Sequence, residues 1–404
     1  MNATDLDERR PIDWINSAFL VLTPLIALIG GVWYVARFGF TRYEALNLLA
    51  MFVLTSVCVT AGYHRYFSHR SYECSTPVKL FYLVFGAAAV ENSVLCWASD
   101  HRRHHRFVDT PEDPYNILRG GLYAHMGWIF YKDTRDEKTR FDNVPDLLKD
   151  PLVRWQHRWY VPLVVAVTFV LPTLIGLAFG RPLGGLLFGG FLRVVLVHHT
   201  TFFINSLAHL YGERPYSLQD TARDSWWLAP LTFGEGYHNF HHKFQADYRN
   251  GLRWWQFDAT KWWINALRLT GQARALKRTP ESLILKARLA VEKERLALRA
   301  QQSAASDELW RRVQARLDAG SARLQAAHEA YAHAKAEYRR RRDQWTADAR
   351  RQWDETVSAR RAEYREALER WQATMRAMNR LSQPSAQSLL TLTAFMDIFK
   401  HRLF

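Results

Sequence analysis

Four stretches of this chain are apolar for long enough to cross a bilayer as helices. They cover residues 18–36, 45–61, 161–179 and 183–208, and a hydrocarbon core of about 30 Å needs about 20 such residues. The fourth is interrupted by Arg193, His198 and His199 and ends in Asn205-Ser-Leu-Ala-His209. Polar groups inside a span are costly and turn towards protein rather than lipid. This helix is therefore expected to lean on a buried site. The first ten residues are polar and of mixed charge, and the apolar run after them is as long as a full span. It reads as a retained helix, not as a signal peptide.

A fifth apolar run, 78–97, contains Glu91 and Asn92, leaving a clean apolar stretch only over 80–90. That is too short to span and suits an interfacial or re-entrant helix. With four spans, both termini and the long loop 62–159 lie on one face. The loop is rich in Arg and Lys, which puts that face in the cytoplasm. Arg37 and Arg42 in the first external turn weaken the bias without reversing it. The predicted fold is all-α: four transmembrane helices under a cytoplasmic helical cap, with a membrane domain over 1–270.

Beyond residue 279 the apolar runs stop. Thr279-Pro280-Glu281 reads as a helix start, with Thr as N-cap and Pro at the first helical position. Large residues then recur every seven positions at Trp310, Leu317, Leu324, Tyr331, Tyr338 and Trp345. A second series, Val357, Tyr364, Trp371 and Met378, repeats in a shifted phase. Sustained heptads predict a long helical, coiled-coil-like extension over 279–381. Its companion core positions are weak (Val313, Gly320, Ala327, Ala334, Arg341), so a packed hairpin or small bundle competes with a dimeric zipper. Ser382-Gln-Pro384 ends the series, and a short amphipathic tail helix is expected within 382–404.

Lys and Arg number 54 against 39 Asp and Glu, a net charge of +15. Such an excess fits nucleic acid, an anionic membrane surface or an anionic substrate. The spans select the membrane and exclude nucleic acid. Trp226, Trp227, Trp254, Trp255, Trp262 and Trp263 suit anchoring at the headgroup level. Cys58, Cys74 and Cys96 show no CxxC spacing and build neither a disulfide framework nor a zinc ribbon.

Against this background stand the histidines. Nine of sixteen fall in four places: His64-x4-His69, His101-x2-His104-His105, His238-x2-His241-His242, and His209. Solvated histidines near headgroups would not group three times. Imidazole is the usual side-chain ligand for iron, copper, nickel and zinc. On a helix, i/i+3 and i/i+4 pairs share a face, so the second and third groups can each aim several rings at one point, and Asn205 and His209 face the same way. His64 and His69 are five apart and predict a helix end or kink. Catalytic zinc needs three ligands and a water; nine histidines suit two metal ions better. Soluble di-iron bundles use Glu residues and two Glu-x-x-His pairs. Only Glu235 to His238 shows that spacing here, so this would be a histidine-rich membrane version. Asp100 and Asp109 are candidate outer acceptors for ligand N–H groups, or salt-bridge partners of Arg102, Arg103 or Arg106. His125, His157, His198 and His199 read as satisfied interior or interfacial residues.

These residues carry a resemblance. The stretches Gly62-Tyr-His-Arg-Tyr-Phe-Ser-His69, Trp97-Ala-Ser-Asp-His-Arg-Arg-His-His105, Asp109-Thr-Pro-Glu-Asp-Pro114, Asn205-Ser-Leu-Ala-His-Leu-Tyr-Gly212 and Gly234-Glu-Gly-Tyr-His-Asn-Phe-His-His242 resemble integral-membrane fatty acyl desaturases of the acyl-CoA delta-9, stearoyl-CoA desaturase-like family, in a bacterial style. The likeness covers residues 16–265. It implies a di-iron centre held by His64, His69, His101, His104, His105, His209, His238, His241 and His242, with Asn205 holding a water on one iron. It implies a bent acyl tunnel shaped by Trp97 and Thr201. It also implies molecular oxygen as co-substrate and a saturated acyl substrate, acyl-CoA or acyl-lipid, that gains a cis double bond. The chain departs from animal members at Phe202, Glu91 and Ser99, where Trp, Gln and Arg stand; this leaves the acyl carrier open. No flavin, nicotinamide, haem or iron–sulfur pattern is evident. Electrons must then come from a separate ferredoxin, rubredoxin or cytochrome b5-like donor with its reductase. The expected place is a bacterial inner membrane, with the site and both termini cytoplasmic. Two rivals share the sequence features: a histidine-box hydroxylase or ketolase, and a membrane-anchored coiled-coil protein with a vestigial metal site.

Overall fold

The four apolar runs fold as the helices Trp14–Phe38, Arg42–Ser68, Tyr160–Ala178 and Pro182–Leu210, the third no longer than its run and the others longer. The structure, a computed structural model, describes residues 10–301, 307–341 and 344–381. Polar caps explain the added turns. Asp13 accepts from the backbone N–H of Ile15 and Asn16 at 3.1 and 3.0 Å, and Thr41 and Glu44 form a reciprocal capping box, so both helices start outside their apolar stretch. The first span exposes Leu22, Leu28, Ile29 and Val32, as a lipid-facing surface requires. The chain is an integral membrane protein by these four helices.

The run expected to be re-entrant is two helices, Thr76–Ala89 and Val94–Phe107, bent by 81°. The break lies around Glu91, with Val90 and Asn92 at φ of 58° and 73°. A helix ending inside a membrane protein leaves carbonyls without partners. The fourth span supplies them: a guanidinium N–H of Arg193 donates to the Ala88 carbonyl, and His198 Nε2 lies 2.9 Å from the Ala89 carbonyl. Two polar interruptions of that span, Arg193 and His198, therefore cap a neighbouring helix. Close approach at the other end depends on Gly62, where a Cβ would stand 2.7 Å from Tyr82.

The described residues divide into two compact units. One holds residues 10–214 and 218–279, the other 215–217 and 280–381. In the first, the two-residue strands Glu73–Cys74 and Ala273–Arg274 pair antiparallel. In the second, helices Glu281–Gln301, Asp307–Arg341 and Ala347–Leu381 bury Leu289, Leu296, Val313, Leu317, Leu324 and Trp371 in one core. The weak position Gly320 has a use here: the Trp371 ring lies over it, 3.5 Å from where a Cβ would stand. Of the two alternatives, the packed bundle is the form taken. The expected tail helix within 382–404 lies outside the described residues.

One buried polar network joins the second span to the chain after residue 233. Arg65, 1% exposed, donates to Glu235 at 2.9 Å, to Asp258 at 3.2 Å and to the Tyr248 carbonyl at 2.7 Å. Asn250 donates to the other oxygen of Glu235 at 2.6 Å. Asp258 caps helix Ala259–Leu269 through the Lys261 N–H at 2.8 Å. The buried charges of Arg65 and Glu235 are satisfied within this network, so removing one strands the other. Glu235→Ala is expected to destabilise the fold by about 3–5 kcal/mol, and Glu235→Gln, which keeps one acceptor, by less. Thermal unfolding in detergent checks this; an unchanged midpoint for the alanine variant would show that Arg65 does not depend on Glu235.

Candidate metal centre

The first histidine pair sits in π-helical backbone. Residues Cys58–Ser68 form i→i+5 turns, and the N–H of His69 closes the last on the His64 carbonyl at 3.1 Å. Five residues, out of phase on an α-helix, return to one side on this wider turn. The expected helix end is present at Ser68, but the widened turn is what aligns the two rings. π-turns of this kind recur at functional sites. His101, His104 and His105 project from the last turns of Val94–Phe107. His238, His241 and His242 come from the short helix His238–Lys243. His209 lies in Leu207–Leu210, beyond a local break at Ser206.

These elements sort the nine side chains into two clusters. His64, His69, His101, His105 and His241 form one, and His104, His209, His238 and His242 the other, with ligand nitrogens in each within 4.8 Å of one another. In the first, the Nε2 to Nε2 distances are 2.9 Å for His64 and His241, 2.7 Å for His69 and His101, and 3.0 Å for His105 and His241. In the second they are 3.3 Å for His104 and His242 and 3.0 Å for His238 and His242. Two imidazoles bound to one ion with metal–nitrogen bonds of about 2.0–2.1 Å have nitrogens roughly 3 Å apart. The clusters abut, since the His105 and His242 rings stack at 4.3 Å.

The outward nitrogens decide what the inward ones present. His64 Nδ1 is 3.0 Å from Glu235 Oε2, and His104 Nδ1 is 2.8 Å from Asp113 Oδ1. A carboxylate only accepts, so each Nδ1 is the donor and each Nε2 carries a bare lone pair. His209 reaches the same state by a relay. The Thr221 hydroxyl donates to Asp109 Oδ1 at 2.7 Å. Its oxygen must therefore accept from His209 Nδ1, 2.8 Å away. His209 Nε2 is left buried without a hydrogen-bond partner. A buried, unpartnered lone pair aimed into a nest of imidazoles is what a cation requires. Burial, then the neighbouring imidazoles, hold His69, His238, His241 and His242 well below the usual histidine pKa, so they are neutral and able to ligate. Burial pushes Glu235 up, but the Arg65 guanidinium and His64 overcome this and hold it at about 2. Glu235 is thus a permanent anion behind His64. The donor set fits one or two metal ions.

Other sequence expectations meet the structure unevenly. Asp109 acts through Thr221, and Asp100 pairs with Arg135 at 2.6 Å, not with Arg102, Arg103 or Arg106. Glu235 does not extend towards His238; it faces His64 of another group. Asn205 ends helix Arg193–Asn205 half-buried; the break at Ser206 separates it from His209, so the pair does not share one continuous α-helix. Trp97 stacks on His101 with ring centroids 4.9 Å apart, and its Nε1 donates to Glu91 at 3.1 Å. Glu91 also hydrogen-bonds Thr201, so one carboxylate joins the two expected tunnel residues. His125 and His199 contact each other at 3.0 Å, and His157 contacts Ser93 at 2.6 Å; with His198 they stay outside the clusters. Asp113 and Thr221 were not singled out from the sequence. Asp113 lies in the Asp109–Pro114 stretch, a usable signal, whereas nothing near Thr221 marks it.

Comparison with known proteins gives the same picture. A family model described as fatty acid desaturase matches residues 44–274. The chain is 42% identical over 290 residues to acyl-CoA desaturase 1 of Saccharomyces cerevisiae, an alignment covering 70% of this chain and 56% of that protein. It therefore spans little more than half of the yeast protein's length. It is 38% identical over 284 residues to stearoyl-CoA desaturase 5 of Homo sapiens, covering 69% of this chain and 84% of the human protein. It is 34% identical over 272 residues to the sn-2 palmitoyl-lipid 9-desaturase of Nostoc sp., covering 66% and 91%. The matched region takes in every histidine of both clusters, and the chain belongs to the fatty acid desaturase family.

Proposed function

We propose that this protein is an oxygen-dependent fatty acyl desaturase that introduces a cis double bond, at the delta-9 position, into a saturated acyl chain at a di-iron centre. The observation that carries this reading is the pair of abutting histidine clusters, in which His64, His104 and His209 present lone pairs inward, in a chain of this family. His64, His69, His101, His105 and His241 would hold one iron. His104, His209, His238 and His242 would hold the other, with Asn205 positioning a water beside it. The irons, when bound, supply oxygen activation and removal of hydrogen from the acyl chain.

The chain's own residues do the placing. Glu235, Asp113 and the Thr221–Asp109 relay fix the tautomers of His64, His104 and His209. Trp97, Glu91 and Thr201 form a rigid group against His101. This suits a wall that bends an acyl chain and sets which carbons face the metals. The names of the relatives include both coenzyme A and lipid carriers, and both remain candidate substrates. A separate one-electron donor completes the reaction.

The decisive experiment is lipid analysis after expression in a host lacking unsaturated fatty acids. Expected are cis-monounsaturated acyl chains with two iron ions per purified chain; His241→Ala should abolish the double bonds and lower the bound iron. Gain of oxygen in place of loss of two hydrogens would make the protein a hydroxylase. Full activity in His241→Ala would remove that residue from the site.

The clusters draw on residues both before and after the 81° bend, so a shared centre requires that the bent pair not cross the membrane. The Arg- and Lys-rich loop 62–159 then lies in the cytoplasm with both termini. Cysteines introduced beside His69 and His105 should react with an impermeant reagent from the same, cytoplasmic, side. Reaction from opposite sides would end the shared-site reading.

The helical unit after residue 279 contributes none of the nine histidines. We assign it to assembly or attachment rather than to chemistry. A chain ending at Thr279 keeps the hydrogen bond from its N–H to Asp247, and should retain bound iron and make double bonds. A folded truncation with full iron and no turnover would instead place this unit in the reaction cycle.

A further inference from the structure

The first cluster is not sealed. His64, His101 and His241 are buried, but His69 and His105 are half-buried. Both line a cavity of about 490 Å³ together with Ser68, Arg102, Arg106 and Gln245. Two arginines stand in its wall, and none of Trp97, Glu91 and Thr201 lines it.

The charge around the cavity is one-sided. Arg102 is fixed in place: it grips Asp146 through two bonds of 2.7 and 2.9 Å and donates to the Phe67 and Ser68 carbonyls at 2.8 and 2.9 Å. Arg70, beside His69, is 68% exposed and stands 3.9 Å from the same Asp146. Arg106 is exposed and has no acidic partner among the described residues. Three guanidinium groups thus meet one carboxylate. Such a surface attracts an acidic partner and speeds its docking. His69 and His105, the half-buried members of the first cluster, line this cavity.

We propose that this cavity is the docking site of an acidic one-electron carrier protein, which delivers electrons through the exposed edges of His69 and His105. The inference rests on the desaturase reading above. The reaction needs two electrons: –CH2–CH2– + O2 + 2 e⁻ + 2 H⁺ gives –CH=CH– + 2 H2O. The carrier is oxidised twice, one electron at a time, and the protons come from water.

The test uses the full chain in lipid nanodiscs and a [2Fe–2S] ferredoxin of net negative charge as probe. Binding is measured by surface plasmon resonance as a function of salt. Turnover is measured with either the ferredoxin or dithionite as reductant. The double variant Arg70→Glu and Arg106→Glu should weaken ferredoxin binding on the order of tenfold and flatten its salt dependence, because rim charges steer association. It should raise the KM for ferredoxin equally. Iron content, the KM for acyl substrate and dithionite-driven turnover should stay as in the parent. Arg70→Lys with Arg106→Lys should restore binding. Unchanged ferredoxin affinity in the charge-reversed protein would overturn the proposal. So would a raised KM for the acyl substrate alone, which would give the cavity to an anionic acyl carrier. A parent protein without iron and inert with dithionite would sink the desaturase reading; ferredoxin affinity still decides the docking surface.

Discussion

Nine imidazoles crowded into two clusters, three of them with a lone pair held inward, are the constraint on which the rest of this structure depends. Nitrogens 2.7–3.3 Å apart repel one another wherever two lone pairs face, and a cation between them removes that repulsion. Such crowding holds only if each ring is restrained from outside. His64 is held by Glu235, His104 by Asp113 and His209 by Thr221. The remaining rings are gripped by helix backbone and by packing, as Trp97 grips His101. This is why the polar residues around the clusters matter as much as the histidines: loss of an outward partner frees a ring to rotate and present N–H where a lone pair was needed.

The membrane segments serve the same end by departing from regular helix. An α-helix throughout the second span would set His64 and His69 on different sides; the π-turn brings them together. A straight helix from Thr76 to Phe107 would carry His101, His104 and His105 away from the second span. The 81° bend returns them, and the carbonyls it exposes are met by Arg193 and His198. Arg65, one residue from His64, ties this span to Glu235 and Asp258. It thereby positions the helix that carries His238, His241 and His242. Irregular backbone inside a membrane protein is costly unless its polar groups find protein partners, and at the bend Arg193 and His198 are those partners.

Much of this was legible in the sequence, because apolar length and histidine spacing are local signals. The four spans were readable from run length, their ends less so, since Asp13 and Thr41 extend helices through caps that lie outside the apolar stretch. Glu91 and Asn92 marked the bend correctly. The nine clustered histidines were legible as a group, and the grouping into five and four was not: His101 and His105 serve one cluster and His104 the other, a split set by helical phase and by partners far along the chain. Glu235 carried a misleading signal. Its spacing to His238 suggests a local pair, while its contacts are with His64 and Arg65, about 170 residues away. Thr221 gave no signal, since a lone threonine is ordinary. In the helical unit the heptads were plain, and Gly320 looked like a defect until Trp371 was seen to lie over it.

The placement of the acids has a consequence for the chemistry proposed here. Soluble di-iron bundles bind their metals directly through carboxylates, which neutralise charge at the ligands. In this chain the nine clustered donors are imidazole nitrogens, which bring no negative charge to the metal. The acids Glu235 and Asp113 stand behind a ring, and Asp109 behind Thr221 and a ring. Arg65 further offsets Glu235. Divalent ions in these clusters would therefore keep most of their positive charge within a buried region of low dielectric. That charge favours electron entry and the binding of reduced, anionic oxygen, and it opposes the approach of cations. It also gives a reason for the asymmetry at the rim. The first cluster meets solvent through two imidazole edges beneath arginines, so an incoming reductant must bring compensating negative charge on its own surface.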